Sequence, residues 1–379
     1  MKVLINAISA KQGGILTYTR NLMRSLMERQ IDAVFAVPRN FEAIEGCRTI
    51  PVAASEYKAP ARLIWEQTVW RAMVAREKPD VLFSSANFSL LSSKVPQLLL
   101  VREGGLFDPF YLTNFTMAQG LKISVMRRIR RRLMLASARH ADLVMTPTEE
   151  LRRNILGWQP EIAAHSVCNW YGTLEETFSR SETCRTWRGD GTLRVLYVSI
   201  YYAHKNPGTL VRAVSRIKQS GMDVHARITM NLDEIRATPG GAQDALIMQA
   251  GVENGLVSTG RHPYERLPEL YRNSDVFVFP AVCETFGHPM VEALASGLPV
   301  VVAEHPVNRE ICGDAALYFS PFSSEELALR LMELQDNPQL RQELARKGRE
   351  RVLACFTWDG HMDRLCGLLE KVATAGPRT

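Results

Sequence analysis

The sequence predicts an α/β protein built on parallel sheets, and three observations carry that expectation. Short β-branched and aromatic runs alternate with longer helical patterns from one end of the chain to the other, which is how strands joined by crossover helices read. The same grammar is written twice, on either side of a polar, aperiodic stretch. The length agrees, because 379 residues make two domains at roughly 150 residues each. With 46 % apolar and 23 % charged residues, near the averages for globular chains, each half can bury a core of its own. Disorder, collagen and coiled coil are excluded.

The first strand is expected at 3–9, followed by a turn at Gly13-Gly14 and an amphipathic helix at 17–29. Buried runs at 33–37, 81–85, 97–101, 143–146 and 165–169, with a helical segment at 61–76, complete a first domain over residues 1–172. Residues 173–192 turn to Thr, Glu and Arg without periodicity and read as a linker. A new buried strand at 194–200 opens the second domain, 193–355, and strands at 226–230, 256–259, 276–279, 300–303 and 317–319 continue it. Three helical segments follow Ser323, and the last, within 356–379, is placed to cross back to the first domain. The result is two Rossmann-like halves. Open α/β sheets bind ligands beyond the carboxyl ends of their strands, so the substrate site is expected in a cleft where the two halves face each other.

Residues 1–6 hold one lysine and a short apolar run ended by Asn6, too short for a signal-peptide core. No stretch approaches the roughly 18 apolar residues of a membrane span. Cys47, Cys168, Cys184, Cys283, Cys312, Cys355 and Cys366 are odd in number, scattered and without a CxxC pair, which fits neither a disulfide framework nor a zinc site. The expected location is cytoplasmic. The net charge of +6 is uneven, with Lys122, Arg127, Arg128, Arg130, Arg131, Arg132 and Arg139 inside eighteen residues. No nucleic-acid motif or interleaved aromatic accompanies that cluster, so anionic lipid or a phosphorylated substrate is the expected partner. Leu121, Val125, Ile129, Leu133 and Ala136 recur there at helical spacing. Either that stripe faces the core and the arginines are merely solvated, or the segment lies on a membrane surface.

The most informative segment is 277–293, which reads strand, loop, helix. Pro289 suits a first helical turn, where its missing N–H costs nothing. Gly287 lets a ligand approach the loop backbone, and the free amides of a helix start attract anions. Glu284 in the loop and Glu292 in the helix, in an E-x7-E pattern, place two carboxylates on either side of those amides, with Phe286 and His288 between. Ionised carboxylates only accept hydrogen bonds, so the pair can hold vicinal hydroxyls while the amides hold phosphate. A sugar nucleotide carries both groups.

At this point the sequence resembles the retaining glycosyltransferases of family 4, formerly group 1, which have the GT-B fold. The resemblance runs on through Ser-Gly-Leu-Pro-Val-Val at 296–301, Val-Asn-Arg-Glu at 307–310 and Gly-Asp-Ala-Ala at 313–316, and upstream through 263–275, about half of the second domain. It implies that Glu292 binds the nucleotide ribose and that Glu284 lies near the donor sugar hydroxyls. Lys205, after the first strand of the second domain, stands beside a helix start, where its charge can stabilise a departing diphosphate; as an ordinary surface residue it would do nothing of the kind. The family normally adds an arginine just after that strand, and this chain has Ile200 there. Gly13 and Gly14 permit close backbone approach, and the resemblance implies a place at the distal end of the donor. Many relatives carry a His-Asp pair after the strand at 97–101, where this chain reads Arg102-Glu103. Those two either contact acceptor or donor, or pair with each other.

The expectation is therefore a metal-independent hexosyltransferase without a cofactor, using a nucleoside diphosphate sugar and a saccharide or lipid-linked saccharide acceptor. Lys205 and Glu284 are its candidate catalytic residues. Gly13, Gly14, Lys205, Glu284, Phe286, Gly287, His288, Pro289 and Glu292 are expected on the donor, and surface polysaccharide or lipopolysaccharide synthesis is the commonest setting for such chains. No DxD triad stands in a donor context, which agrees with neutralisation of the diphosphate by protein groups. A sugar-nucleotide epimerase and a non-catalytic sugar-nucleotide-binding subunit are the rival readings. The first wants an acid and base pair on both faces of the sugar, for which the sequence offers no clear candidates.

Overall fold

The computed structural model describes residues 1–11, 13–113, 115–178 and 191–378. Gln12 of the glycine turn, Cys184 and most of the expected linker, 179–190, lie outside the described residues.

Two parallel sheets organise the chain. The first contains β1 (Lys2–Asn6), β2 (Asp32–Pro38), β3 (Arg48–Val52), β4 (Val81–Ser84), β5 (Gln97–Leu100), β6 (Leu143–Thr146) and β7 (Ser166–Cys168), in the order β3-β2-β1-β4-β5-β6-β7. The second contains β8 (Leu193–Tyr197), β9 (Val224–Ile228), β10 (Val257–Thr259), β11 (Val276–Phe279), β12 (Val300–Ala303) and β13 (Ala316–Phe319), in the order β10-β9-β8-β11-β12-β13. Every pairing is parallel. Parallel strands are covered on both faces, and Val3, Leu4, Ile5, Val276, Phe277, Val278 and Phe279 are all fully buried. Both sheets reverse their strand order once, between β1 and β4 and between β8 and β11.

Two elements depart from expectation. β3 has no clean apolar run, because Arg48 and Pro51 interrupt it; it lies at the sheet edge, where a proline is tolerated. The helix expected at 61–76 is two, Ala59–Gln67 and Val69–Glu77, broken at Thr68 with φ −119° and ψ −74°. The Thr68 hydroxyl donates to the Ile64 carbonyl at 2.7 Å, the back-bonding that bends helices.

The chain divides into two compact units, one of residues 1–103, 128–170 and 359–379, the other of residues 104–127 and 171–358. A boundary drawn on composition at 172 therefore differs from the packing at 104–127. That segment is tied into the second unit by the Gly104 amide on the Thr285 hydroxyl at 3.0 Å and by an Asp108–His305 contact at 2.7 Å. No change of composition marks it in the sequence. The helix Trp358–Ala375 returns residues 359 onward to the first unit. There His361 is fully buried and the Tyr18 hydroxyl lies 3.1 Å from its Nε2. Among the described residues, no helix is long and apolar enough to cross a membrane.

Candidate functional site

In the second unit the strand order reverses between β8 and β11, and ligands of open parallel sheets bind at such switch points, beyond the strand ends. The loops that leave these two strands are bolted together. The Val282 amide donates to the His204 carbonyl at 3.0 Å, the Asn206 side chain donates to the Pro280 carbonyl at 3.3 Å, and the Tyr197 hydroxyl holds the Lys205 carbonyl at 2.7 Å. Asn206 takes the left-handed conformation at φ +51°, ending the turn Ala203–Lys205 and starting the helix Pro207–Gln219. The consequence is contact between two sequence-predicted residues, because the Lys205 ammonium is hydrogen-bonded to the Glu284 carboxylate. Their side chains are 13 % and 12 % exposed, so neither charge is simply solvated. Burial works to raise the Glu284 pKa, but the Lys205 charge and hydrogen bond, helped by the Thr285 amide, outweigh it and hold the carboxyl below its ordinary range. His204 beside them is neutral, pushed down to about 4 by burial and by Lys205. Its ring stacks on Tyr202 at 5.6 Å and lies tilted against Tyr111 at 5.3 Å.

The helix His288–Ala295 begins at Gly287, whose φ of +83° is the left-handed region that only glycine enters without cost. Pro289 is in its first turn, as the sequence implied. Glu292 is buried, and its carboxylate accepts from the Tyr271 hydroxyl at 2.8 Å and from Tyr264. Burial pushes Glu292 up to about 7, against the two tyrosines. Phe286 is buried edge-on to Tyr171 and Phe356, while His288 lies nearly parallel to the Tyr171 ring, 5.2 Å away. The two acids thus have different surroundings, Glu284 with an ammonium and Glu292 with neutral hydroxyls.

A third layer was not anticipated. Asp108 caps the short turn Pro109–Leu112 through the Phe110 amide at 2.9 Å and contacts His305 Nε2 through its other oxygen at 2.7 Å. His305 in turn caps the helix Pro306–Cys312, its Nδ1 accepting from the Val307 amide at 3.3 Å, so Nε2 carries the proton and donates to Asp108. The Cys283 thiol, pushed well up by burial and by Asp108 and Glu284, stays protonated. Gly104 packs on the same loop so closely that a Cβ there would sit 2.9 Å from the Glu284 carbonyl oxygen. The His-Pro pair after β12 was a readable cap signal; nothing in the sequence tied Asp108 to it.

Gly13, Gly14, Arg102 and Glu103 belong to the first unit. Gly13 has φ +64° and precedes the helix Gly14–Glu28. Arg102 and Glu103 do not pair with each other. Glu103 is held by Arg130 at 2.7 Å and by the Asn87 amide group at 3.1 Å, while Arg102 lies 5.8 Å from the centre of the Tyr18 ring. Close by, Arg62 bonds both Glu66 at 3.1 Å and Ser9 at 2.6 Å, and burial pushes the Glu66 carboxyl up.

Two parallel sheets, each with one reversal of strand order, and a buried cation–carboxylate pair at one reversal define a two-domain α/β protein of the GT-B class. Sucrose-phosphate synthase from Thermosynechococcus elongatus has the same fold, with a TM-score of 0.80 at 20 % identity over 99 % of this chain and 100 % of that one. Anabaena HepE, solved in complex with UDP-glucose, matches at a TM-score of 0.70 and 16 % identity over 98 % and 100 % of the two chains. In sequence, residues 188–351 match the family described as glycosyl transferases group 1, and residues 13–170 match a glycosyl transferase 4-like domain. The chain belongs to the group 1 glycosyltransferases. Mannosylfructose-phosphate synthase of Agrobacterium fabrum is 34 % identical over 142 residues, 37 % of this chain and 31 % of that one. Such matches span between 31 % and 43 % of the length of three curated relatives.

Proposed function

We propose that the protein transfers a hexose from a nucleoside diphosphate sugar to a hydroxyl acceptor with retention at the anomeric carbon. The observation that carries this reading is the buried Lys205–Glu284 pair at the switch point, followed by a helix start and a second buried acid, Glu292. In this reading the Lys205 ammonium and the backbone at 287–289 meet the diphosphate, Glu284 accepts from sugar hydroxyls, and Glu292 accepts from the ribose. Lys205 is already desolvated, so its charge acts on a leaving diphosphate through a low local dielectric without solvent reorganisation. The retaining step is front-face attack through an oxocarbenium-like state, with the leaving phosphate taking the acceptor proton. It needs no protein base, and His204, neutral and stacked, is not required to act as one. Protein cations and amides neutralise the diphosphate in place of a divalent ion. Family membership supports the reaction class, and the UDP-glucose bound to the structurally similar Anabaena protein supports a sugar nucleotide as donor. The acceptor is a saccharide or lipid-linked saccharide of surface polysaccharide or lipopolysaccharide synthesis, reached by peripheral contact with an anionic membrane through residues 122–139.

Calorimetric titration with a panel of nucleoside diphosphate sugars, followed by product analysis, tests this. One donor is expected to bind and to be slowly hydrolysed or transferred, and Glu292→Ala should weaken its binding at least tenfold in a chain with unchanged circular dichroism. Unchanged affinity removes Glu292 from the donor site. Isomerisation of the sugar alone would identify an epimerase, and binding without turnover a non-catalytic subunit.

A further inference from the structure

The helix Met117–His140 sorts its cations into two sets. Arg127 donates to the Gly105 and Asp108 carbonyls, Arg130 is bonded to Glu103 at 2.7 Å, and the Arg131 guanidinium stacks 3.6 Å from the centre of the Trp158 ring. These three are absorbed by the fold. Lys122, Arg128 and Arg132 are exposed, and among the described residues no carboxylate lies within ion-pair distance of them. No aspartate or glutamate occurs anywhere between Asp108 and Asp142.

The free cations share their side of the helix with an apolar row. Met117, Leu121, Val125 and Ile129 follow one another at intervals of four residues and are 94 %, 69 %, 47 % and 50 % exposed, with Met126 at 55 % beside them. A helix turns 100° per residue, so this row and Arg128, Arg132 and Lys122 occupy one half of the surface up to Arg132, while Met134, Ser137 and Ala138 on the other half are buried, as is Leu135 beyond the end of the row. Contiguous exposed apolar side chains on a soluble protein mark an interaction surface. The occupant is specified by chemistry. A protein partner would bring carboxylates to discrete points, whereas a row of apolar side chains interleaved with unpaired cations, along some three turns and free of acids, matches the acyl boundary and headgroups of an anionic bilayer.

We infer that this half of the helix is an interfacial anchor, with Met117, Leu121, Val125 and Ile129 at the acyl boundary of an anionic membrane and Lys122, Arg128 and Arg132 at its headgroups. This deepens the membrane part of the reading above and is independent of the transfer chemistry. Arg127, Arg130 and Arg131 play no part in the contact, although the charge count alone would have included them.

Flotation with vesicles of phosphatidylcholine alone or with one third phosphatidylglycerol, at low and high salt, tests the assignment on the full-length chain. Binding is expected to the anionic vesicles only, and to fall at least tenfold between low and high salt, as screening of headgroup attraction requires. Lys122→Gln/Arg128→Gln/Arg132→Gln should abolish the difference between the two vesicle types. Leu121→Asp/Val125→Asp should abolish binding at every salt concentration while the chain still unfolds cooperatively, because Leu121 is 69 % and Val125 47 % exposed. Donor affinity, measured calorimetrically on the same variants, should be that of the parent, so failure here is separable from failure of the donor site. The inference is overturned if the parent chain fails to float, if Leu121→Asp/Val125→Asp still floats, or if that variant instead dissociates a dimer seen by light scattering, which would make a second copy of the chain the occupant.

Discussion

Glu292 and Glu284 are two buried carboxylates of one loop and helix, and their surroundings drive them apart. Glu284 keeps its charge because an ammonium is bonded to it; Glu292 has only the hydroxyls of Tyr264 and Tyr271 and is pushed up to about 7. A carboxyl whose folded pKa exceeds its unfolded value, near 4.3, binds a proton more tightly when folded. Its contribution to stability is therefore full below the unfolded value and is lost as the pH rises to about 7. Glu292→Gln retains an acceptor for the tyrosines and cannot ionise. Urea denaturation at pH 5 and pH 8 should show the variant gaining on the parent by roughly 2–3 kcal/mol at the higher pH; equal slopes for the two proteins would mean that Glu292 titrates as a solvated acid. The E-x7-E spacing was legible because it is local. Its partners were not, because Tyr271 reads as one more apolar position of the helix Leu267–Arg272. Asp108 and His305 are 197 residues apart, a distance no spacing rule spans.

At the scale of elements, legibility followed burial. β11 and β12 were bounded to within a residue because all eight of their side chains are buried and turn signals flank both. β3 was passed over because an edge strand with partly exposed positions carries no such run. The basic helix was found by its period, yet its orientation was not, since a stripe at helical spacing looks the same whether it faces core or solvent. The structure exposes Leu121, Val125 and Ile129 of that stripe and half-buries Leu133 and Ala136. The start of the helix His288–Ala295 is the element on which the donor site depends, and it turns on Gly287. Alanine there would have to hold φ near +83°, and its Cβ would meet the flexible Met290 methyl at 2.3 Å. The methyl can move aside; the backbone strain remains, about 1–2 kcal/mol for a left-handed non-glycine residue. Gly287→Ala is expected to lose about that much stability in urea denaturation and, by shifting the helix start, to weaken sugar-nucleotide binding at least tenfold. Full stability with unchanged binding would show that the turn does not need a glycine.

The chain does not complete one unit before it begins the other, because the first unit takes its last element from residues 359–379. Residues 359–379 bring Met362, Leu365, Leu369 and Val372, all buried, to that unit, together with His361. His361 Nδ1 donates to the Trp170 carbonyl at 2.9 Å, leaving Nε2 to accept from the Tyr18 hydroxyl. Ion pairs from Arg29 to Asp359 and Asp363, at 3.3 and 3.0 Å, add little, since both carboxylates are solvent-exposed. The apolar contribution decides the matter: four buried side chains at about 1.5–3 kcal/mol each come to roughly the entire net stability of a domain. A chain ending at Trp358 should therefore keep a folded second unit and lose the first. In hydrogen exchange, the amides of β1 and β4 are expected to become unprotected while those of β8 and β11 stay protected. Undiminished protection in β1 and β4 would mean that the first sheet holds its core without the terminal helix, and that the return of the chain is not what stabilises it.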